Sequence, residues 1–251
     1  MLYIIGIGLD NEKDITLKGL EALKKCDFVY LESYTSKLNC SVSDLEKLYG
    51  KKIMLADRDL VENKADEILD KAKEKNVAFL VIGDPFGATT HSDLFLRAVE
   101  KKIKAKVIHN ASIINAIGEI GLQLYKYGRT VSLAFPEENY RPESAYDGIK
   151  ENKKAGLHTL VLLDIKADKG KYMTANQAIK MLLEIEAKRK EKVFTKDTLC
   201  IGVARIGSDN QVIKAGNAGK LLDEDFGEPL HALVIPGKLH FMEEDMLKLW
   251  E

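Results

Sequence analysis

Val77-Ala-Phe-Leu-Val-Ile-Gly-Asp-Pro-Phe-Gly-Ala-Thr-Thr-His91 decides the fold. Six consecutive apolar residues, 77–82, are too few for a helix of ordinary length. They show none of the alternation that a half-solvated strand requires, so they read as a strand buried on both faces, the kind found in parallel sheets. Gly83-Asp-Pro ends the run at a turn. Upstream, residues 60–75 place Val61, Ala65, Ile68, Leu69 and Ala72 on one stripe of an amphipathic helix, and residues 92–103 read as a second helix. Helix, buried strand and helix in succession mark an α/β protein.

Towards the amino terminus the same rhythm gives strands over 2–7, 27–32 and 52–55. A helix over 16–25 is carried by Leu17, Leu20, Ala22 and Leu23, and a shorter one over 43–48 can be capped by Ser41 or Ser43. A further strand covers 106–109. Beyond it a second series begins, with helical segments at 112–118, 143–154, 174–189 and 242–250 and strands at 130–135, 159–165, 199–204, 211–214 and 231–235. The last strands are joined by segments too short for helical crossovers, which predicts antiparallel pairing. The expected architecture is two α/β domains, 1–111 with a mainly parallel sheet and 112–251 with a mixed sheet.

The 251 residues carry 38 Lys plus Arg against 39 Asp plus Glu, a net charge of −1, so no overall field draws the chain to nucleic acid or an anionic membrane. No apolar run is long enough to span a bilayer. Cys26, Cys40 and Cys200 are odd in number and widely spaced, which suits reduced thiols in a cytoplasmic protein better than disulfides or a metal cluster. No His, Cys or Asp grouping has metal-ligand spacing, and neither a P-loop nor a Gly-x-Ser-x-Gly elbow is present.

Two glycine-bearing turns follow predicted strands. Gly6-Ile-Gly-Leu-Asp10, with Glu32 closing the next strand, invites a dinucleotide-binding reading. Asn11 stands where the third glycine belongs, however, and Asp10, Glu12 and Asp14 would repel a pyrophosphate. Gly83 to His91 is the richer candidate. Its small residues let a ligand approach the backbone, Asp84 offers a carboxylate to a hydroxyl or amine, and Thr89 and Thr90 add hydroxyls. Helix capping by Thr90 or Ser92 explains only part of that pattern. His109, Ser112, Asp164, Arg205, Gly207, Ser208, His231 and His240 lie at or near other strand ends.

Taken together, Gly6-Ile-Gly-Leu9, Asp14-Ile-Thr-Leu-Lys-Gly19, Glu32-Ser-Tyr-Thr-Ser36, the Gly83 to His91 loop, His109-Asn-Ala-Ser-Ile113, Leu163-Asp-Ile-Lys166, Tyr172-Met-Thr-Ala-Asn176, Ala204-Arg-Ile-Gly-Ser208 and Pro236-Gly-Lys-Leu-His240 resemble the diphthine synthases along the whole chain. That family lies within the tetrapyrrole-methylase-like S-adenosylmethionine-dependent methyltransferases. The corrin-methylating relatives usually carry a Pro-containing glycine turn where this chain has Leu9-Asp-Asn11, a departure that favours the diphthine synthases. The alternatives are a corrin-precursor methylase or a non-catalytic cofactor-binding protein.

The resemblance implies two α/β domains with S-adenosylmethionine in the cleft between them and S-adenosylhomocysteine as product, without a metal. The substrate it implies is the amino group of a 3-amino-3-carboxypropyl-histidine on translation elongation factor 2, whose full methylation gives the trimethylammonium compound diphthine. A cytoplasmic homodimer that binds neither nucleic acid nor membrane is implied as well. Carried over position by position, the cofactor contacts fall at Leu9, Asp84, Gly87, Ser112, Ile113, Leu163, Gly207 and Ala232. Methyl transfer to an amine depends chiefly on positioning and desolvation, so no indispensable catalytic side chain is expected. Asp10, Glu32 or Asp164 would attract the developing ammonium, and His109 is a candidate base for the first two proton losses.

Overall fold

The computed structural model describes residues 1–88, 91–138 and 140–251. The chain divides into two compact units, residues 1–116 with 167–169, and residues 117–166 with 170–251.

Unit 1 runs β1 (Leu2–Gly6), α1 (Leu17–Lys24), β2 (Phe28–Glu32), α2 (Val42–Tyr49), β3 (Met54–Ala56), α3 (Arg58–Glu62), α4 (Asp66–Glu74), β4 (Val77–Val81), α5 (Ser92–Glu100), β5 (Ala105–Ile108) and α6 (Ile113–Ala116). Its five strands are all parallel in the order β3-β2-β4-β1-β5. β4 is buried at every residue, as its unbroken apolar run requires. Separate apolar clusters cover the two faces of the sheet. Tyr30, Ile68, Leu69, Val77, Phe79 and Leu94 belong to one, and Ile5, Leu23, Leu31, Leu45, Ala78 and Leu80 to the other. Odd and even residues of β4 thus feed opposite layers, which follows from the two-residue period of a strand.

The helix predicted over 60–75 is two helices. Asp57 caps α3 through the Leu60 amide, and Asp59 draws the chain out of helical geometry at the far end. Its carbonyl accepts from the Asn63 and Lys64 amides, and its carboxylate holds the Asn63 side chain at 2.9 Å and Lys64 at 2.6 Å. α4 then restarts with Ile68, Leu69 and Ala72 still on the buried stripe. α2 begins with Ser41 and Asp44 in a reciprocal capping box. α5 follows His91, which makes no capping bond. Thr89 and Thr90 lie outside the described residues, and with them the capping and hydroxyl roles expected of them.

Unit 2 runs β6 (Val131–Leu133), α7 (Ser144–Lys154), β7 (Thr159–Leu163), β8 (Ile165–Lys166), β9 (Lys171–Tyr172), α8 (Ala175–Arg189), β10 (Leu199–Ala204), β11 (Val212–Asn217), α9 (Ala218–Leu221), β12 (His231–Ile235) and α10 (Phe241–Leu247). Its main sheet, β11-β10-β12-β7-β6, is mixed, with β6 parallel to β7 and the other pairs antiparallel. α8 starts from a Thr174–Gln177 capping box and buries Ala175, Ala178, Ile179 and Leu182 in the core with Tyr146, Phe194, Phe226 and Leu233. The β8–β9 hairpin and α9 are additions to the predicted elements.

Candidate functional site

In unit 1, residues flagged from sequence gather where β1, β4 and β5 end, the edge of an open parallel sheet at which ligands bind. The loops after β1 and β4 are joined by paired backbone bonds between Gly8 and Gly83. Asn110, after β5, donates from its side chain to the carbonyls of Gly6 and Asp14 at 3.0 and 2.9 Å, tying the third strand end to the same group.

The loop after β1 is closed upon itself. Gly8 takes a φ of +83°, and Asp14 Oδ2 accepts from the amides of Leu9 and Asp10 at 3.1 and 2.7 Å. Those are donors that a phosphate would need, so an internal carboxylate already fills the place of an external anion. Asp10 is likewise engaged, accepting from the side chains of Asn11 and Asn39. Glu32 is fully buried and accepts from the Tyr34 amide and from both the amide and the hydroxyl of Thr35. Burial raises its pKa above the ordinary glutamate value, against the lowering effect of those bonds. It clamps its own loop, which answers the dinucleotide reading for this chain.

The loop after β4 is organised differently. Asp84 Oδ1 accepts from the Phe86 amide at 2.9 Å, while Oδ2 accepts from the Asn110 amide at 3.1 Å and lies 2.8 Å from His109 Nδ1. Burial works against ionisation of Asp84, but the two amides and His109 outweigh it and hold the carboxyl below the usual aspartate range. Its side chain is 14% exposed and that of His109 is 70% exposed. A methyl group at Gly87 would lie 2.7 Å from Ser112 Oγ, so only glycine lets this loop pack so closely on Ser112. Ser112 is buried and caps α6. Its amide donates to Asn115 Oδ1, and its hydroxyl accepts from the Ile114 amide. Leu9 and Ile113 are half-buried on the same edge. Leu9, Asp84, Gly87, Ser112 and Ile113 therefore share one end of one sheet.

Unit 2 gathers its own three. Ala232 pairs with Leu162, beside Leu163, and His231 pairs with Ala204, three residues before Gly207. Because β12 runs against both β7 and β10, Leu163, Ala232 and Gly207 fall at one end of the mixed sheet. Leu163 and Ala232 bury their side chains and can offer little beyond backbone. Gly207, with φ +86°, donates its amide to Gln211 Oε1 at 2.9 Å. Arg205 braces this end by donating to the carbonyls of Asn210, Phe226 and Glu228. Asp164 is structural: its carboxylate accepts from the Phe135 amide, and its backbone bonds Leu133 and Met173. His231 Nδ1 accepts from the Ala175 amide, and Nε2 faces the carbonyls of Gly227 and Glu228, so its ring is spent on the fold.

Sequence assigned no individual role to two buried groups. His91, flanked edge-on by Phe79 and Tyr34, is 1% exposed, and neither ring nitrogen has a partner among the described residues. Burial pushes its pKa down to about 4. In unit 2, Glu243 accepts from Lys126, from the Gln123 and His240 amides and from His158, whose Nδ1 accepts the Gly237 amide at 2.9 Å. Only His240 is a local partner, three residues away, whereas Gln123, Lys126 and His158 lie 120, 117 and 85 residues from Glu243, so no local spacing announces the whole group. Among the described residues, no set of three His, Cys, Asp or Glu side chains is disposed to hold a metal, and no helix is long and apolar enough to cross a membrane.

A parallel sheet with glycine loops at its carboxyl edge, followed by a mixed sheet, is the build of an α/β methylase. Residues 1–222 match the family described as Tetrapyrrole (Corrin/Porphyrin) Methylases. The diphthine methyl ester synthase of Dictyostelium discoideum is 53% identical over 262 residues, covering 98% of this chain and 96% of that protein. Its human counterpart is 51% identical over 270 residues, covering 100% and 95%. A crystal structure of a diphthine synthase superposes with a TM-score of 0.91 at 37% identity, covering 99% of this chain and 95% of that one. The chain belongs to the diphthine synthase family of the tetrapyrrole methylases, and is an S-adenosylmethionine-dependent methyltransferase.

Proposed function

We propose that the chain methylates the 3-amino-3-carboxypropyl-histidine of translation elongation factor 2, forming diphthine and then its methyl ester. The observation that carries this reading is full-length similarity, above half identity, to proteins named for that product. A trimethylammonium group requires methylation at nitrogen, and an ester requires methylation at a carboxylate oxygen. The enzyme therefore serves two nucleophiles on one side chain. The relatives' name thus adds an oxygen acceptor to the amine expected from sequence. When bound, S-adenosylmethionine supplies a methyl group activated by its sulfonium charge.

The residues of unit 1 suit that cofactor. Asp84 is fixed by two amides and a histidine yet keeps part of its surface open, which fits a carboxylate that accepts from a hydroxyl or an ammonium. Gly87 and Ser112 supply a close-packed wall, and Leu9 and Ile113 supply apolar surface. In unit 2, Leu163, Gly207 and Ala232 offer chiefly backbone and shape. We further propose a cytoplasmic homodimer that works without a metal and docks neither nucleic acid nor membrane.

Calorimetry with S-adenosylhomocysteine tests the cofactor assignment, and saturable binding by the folded protein is expected. Mass spectrometry of elongation factor 2 carrying the precursor side chain tests the reaction. Successive gains of one methyl mass are expected, and an unchanged substrate beside a binding-competent enzyme overturns the reading.

A further inference from the structure

We propose that His109, oriented by Asp84, accepts the protons released as the substrate amine is methylated. This rests on the function proposed above. The acids nominated from sequence are spent elsewhere: Asp10 on Asn11 and Asn39, Glu32 on Tyr34 and Thr35, Asp164 on Phe135. Among the five histidines, His91 is sealed in the core, His158 and His231 use both ring nitrogens, and His240 caps α10. His109 alone lies against a carboxylate while its side chain is 70% exposed.

The tautomer follows from the bond. An ionised carboxylate only accepts, and Asp84 is held in that form by the Phe86 and Asn110 amides, so His109 Nδ1 must donate across the 2.8 Å contact. That leaves the Nε2 lone pair pointing away from Asp84, and among the described residues it has no hydrogen-bond partner. A carboxylate behind the distal nitrogen fixes the orientation and tautomer of the ring, so that Nε2 is the nitrogen that can take a proton. Asp84 is the titratable group facing His109, and the Phe86 ring stands beside it at 6.5 Å between centroids.

The step balances as follows. A substrate ammonium passes one proton to Nε2, and its freed electron pair forms an N–C bond to the cofactor methyl. The C–S bond breaks with its pair going to sulfur, which leaves S-adenosylhomocysteine and a methylated ammonium. His109 returns the proton to water, as its exposure allows, and the cycle repeats until nitrogen is quaternary. Methylation of the carboxylate oxygen needs no such acceptor, because that oxygen is already anionic.

The two acceptors make the test. In His109→Gln, S-adenosylhomocysteine affinity should stay within about threefold of native. Amine methylation near pH 7, followed by mass spectrometry on precursor-bearing elongation factor 2, should fall about 100-fold and recover as pH rises. Ester formation from preformed diphthine should fall at least about tenfold less than that. In His109→Ala, added imidazole should restore part of the amine step. A native rate and pH profile in His109→Gln, or equal losses in the amine and ester steps, overturns the proposal. Absence of any methyl gain with the native enzyme instead overturns the proposed function itself.

Discussion

The loops after β1 and β4 are built from similar materials and end in opposite conditions. Each follows a buried parallel strand, each contains a left-handed glycine, Gly8 at φ +83° and Gly83 at φ +81°, and the two are bonded to one another. Each also has an aspartate within reach. After β1, Asp14 turns inwards and occupies the amides of Leu9 and Asp10. After β4, Asp84 is fixed by amides that leave part of its carboxylate open, with a solvent-facing histidine beside it. What separates scaffold from site is therefore where a carboxylate's remaining hydrogen-bonding capacity points, rather than the presence of glycine and acid at a strand end.

The largest expected difference between the loops is steric. Alanine at Gly8 would combine a disfavoured left-handed backbone with a methyl group falling on Asp14 Cβ, whereas at Gly83 the nearest atom would be 3.7 Å away. Gly8→Ala should cost about 3–4 kcal/mol and Gly83→Ala about 1–2 kcal/mol, because only the first adds overpacking to backbone strain. Urea denaturation of both variants checks this, and equal losses would mean that the β1 loop can relax around the new methyl.

The core beside the β4 loop should show its own pH dependence. His91 titrates near 6.5 when unfolded and near 4 when folded. Stability is therefore full above pH 6.5 and falls as pH drops towards 4, where the unfolded chain binds a proton that the native state refuses, a loss of about 3 kcal/mol across the window. Replacing His91 with Leu should flatten that slope. An unchanged slope in melting temperature against pH would assign it to other groups.

Asp84→Ala should then weaken S-adenosylhomocysteine about 10–100-fold by calorimetry, the range for losing charge-assisted hydrogen bonds. Lost stability with intact affinity would make the β4 loop a scaffold like its neighbour.

How far such a comparison could be read from sequence differs between fold and site. The apolar run of β4 is unbroken and the helical stripe over 60–75 is periodic, so the buried strand and the buried helix face were legible. The break between α3 and α4 was not, because it depends on Asp59 bonding back to Asn63 and Lys64 rather than on any change of period. The β8–β9 hairpin has two-residue strands, too short to show alternation. At the site, Asp84 and Gly87 stood out because acid and glycine directly after an apolar run are unusual for a simple cap. Asp10, Glu32 and Asp164 were also nominated as acids near strand ends and serve the fold, since sequence shows where an acid lies and not which donors will reach it. His91 was part of the motif, yet its burial beside Phe79 depends on packing that local sequence does not encode.

The smallest effect is also the most direct test of the closed loop. Asp14→Asn keeps an oxygen that can accept from the Leu9 and Asp10 amides but removes the charge, so it should cost only about 1 kcal/mol, the difference between charged and neutral hydrogen bonds. It should leave S-adenosylhomocysteine affinity near native, because the carboxylate faces the turn rather than the ligand edge. Asp14→Ala, which strands both amides, should cost about 1–3 kcal/mol. If the asparagine variant loses cofactor affinity while keeping its urea midpoint, Asp14 speaks to the ligand after all, and the β1 loop belongs with the site.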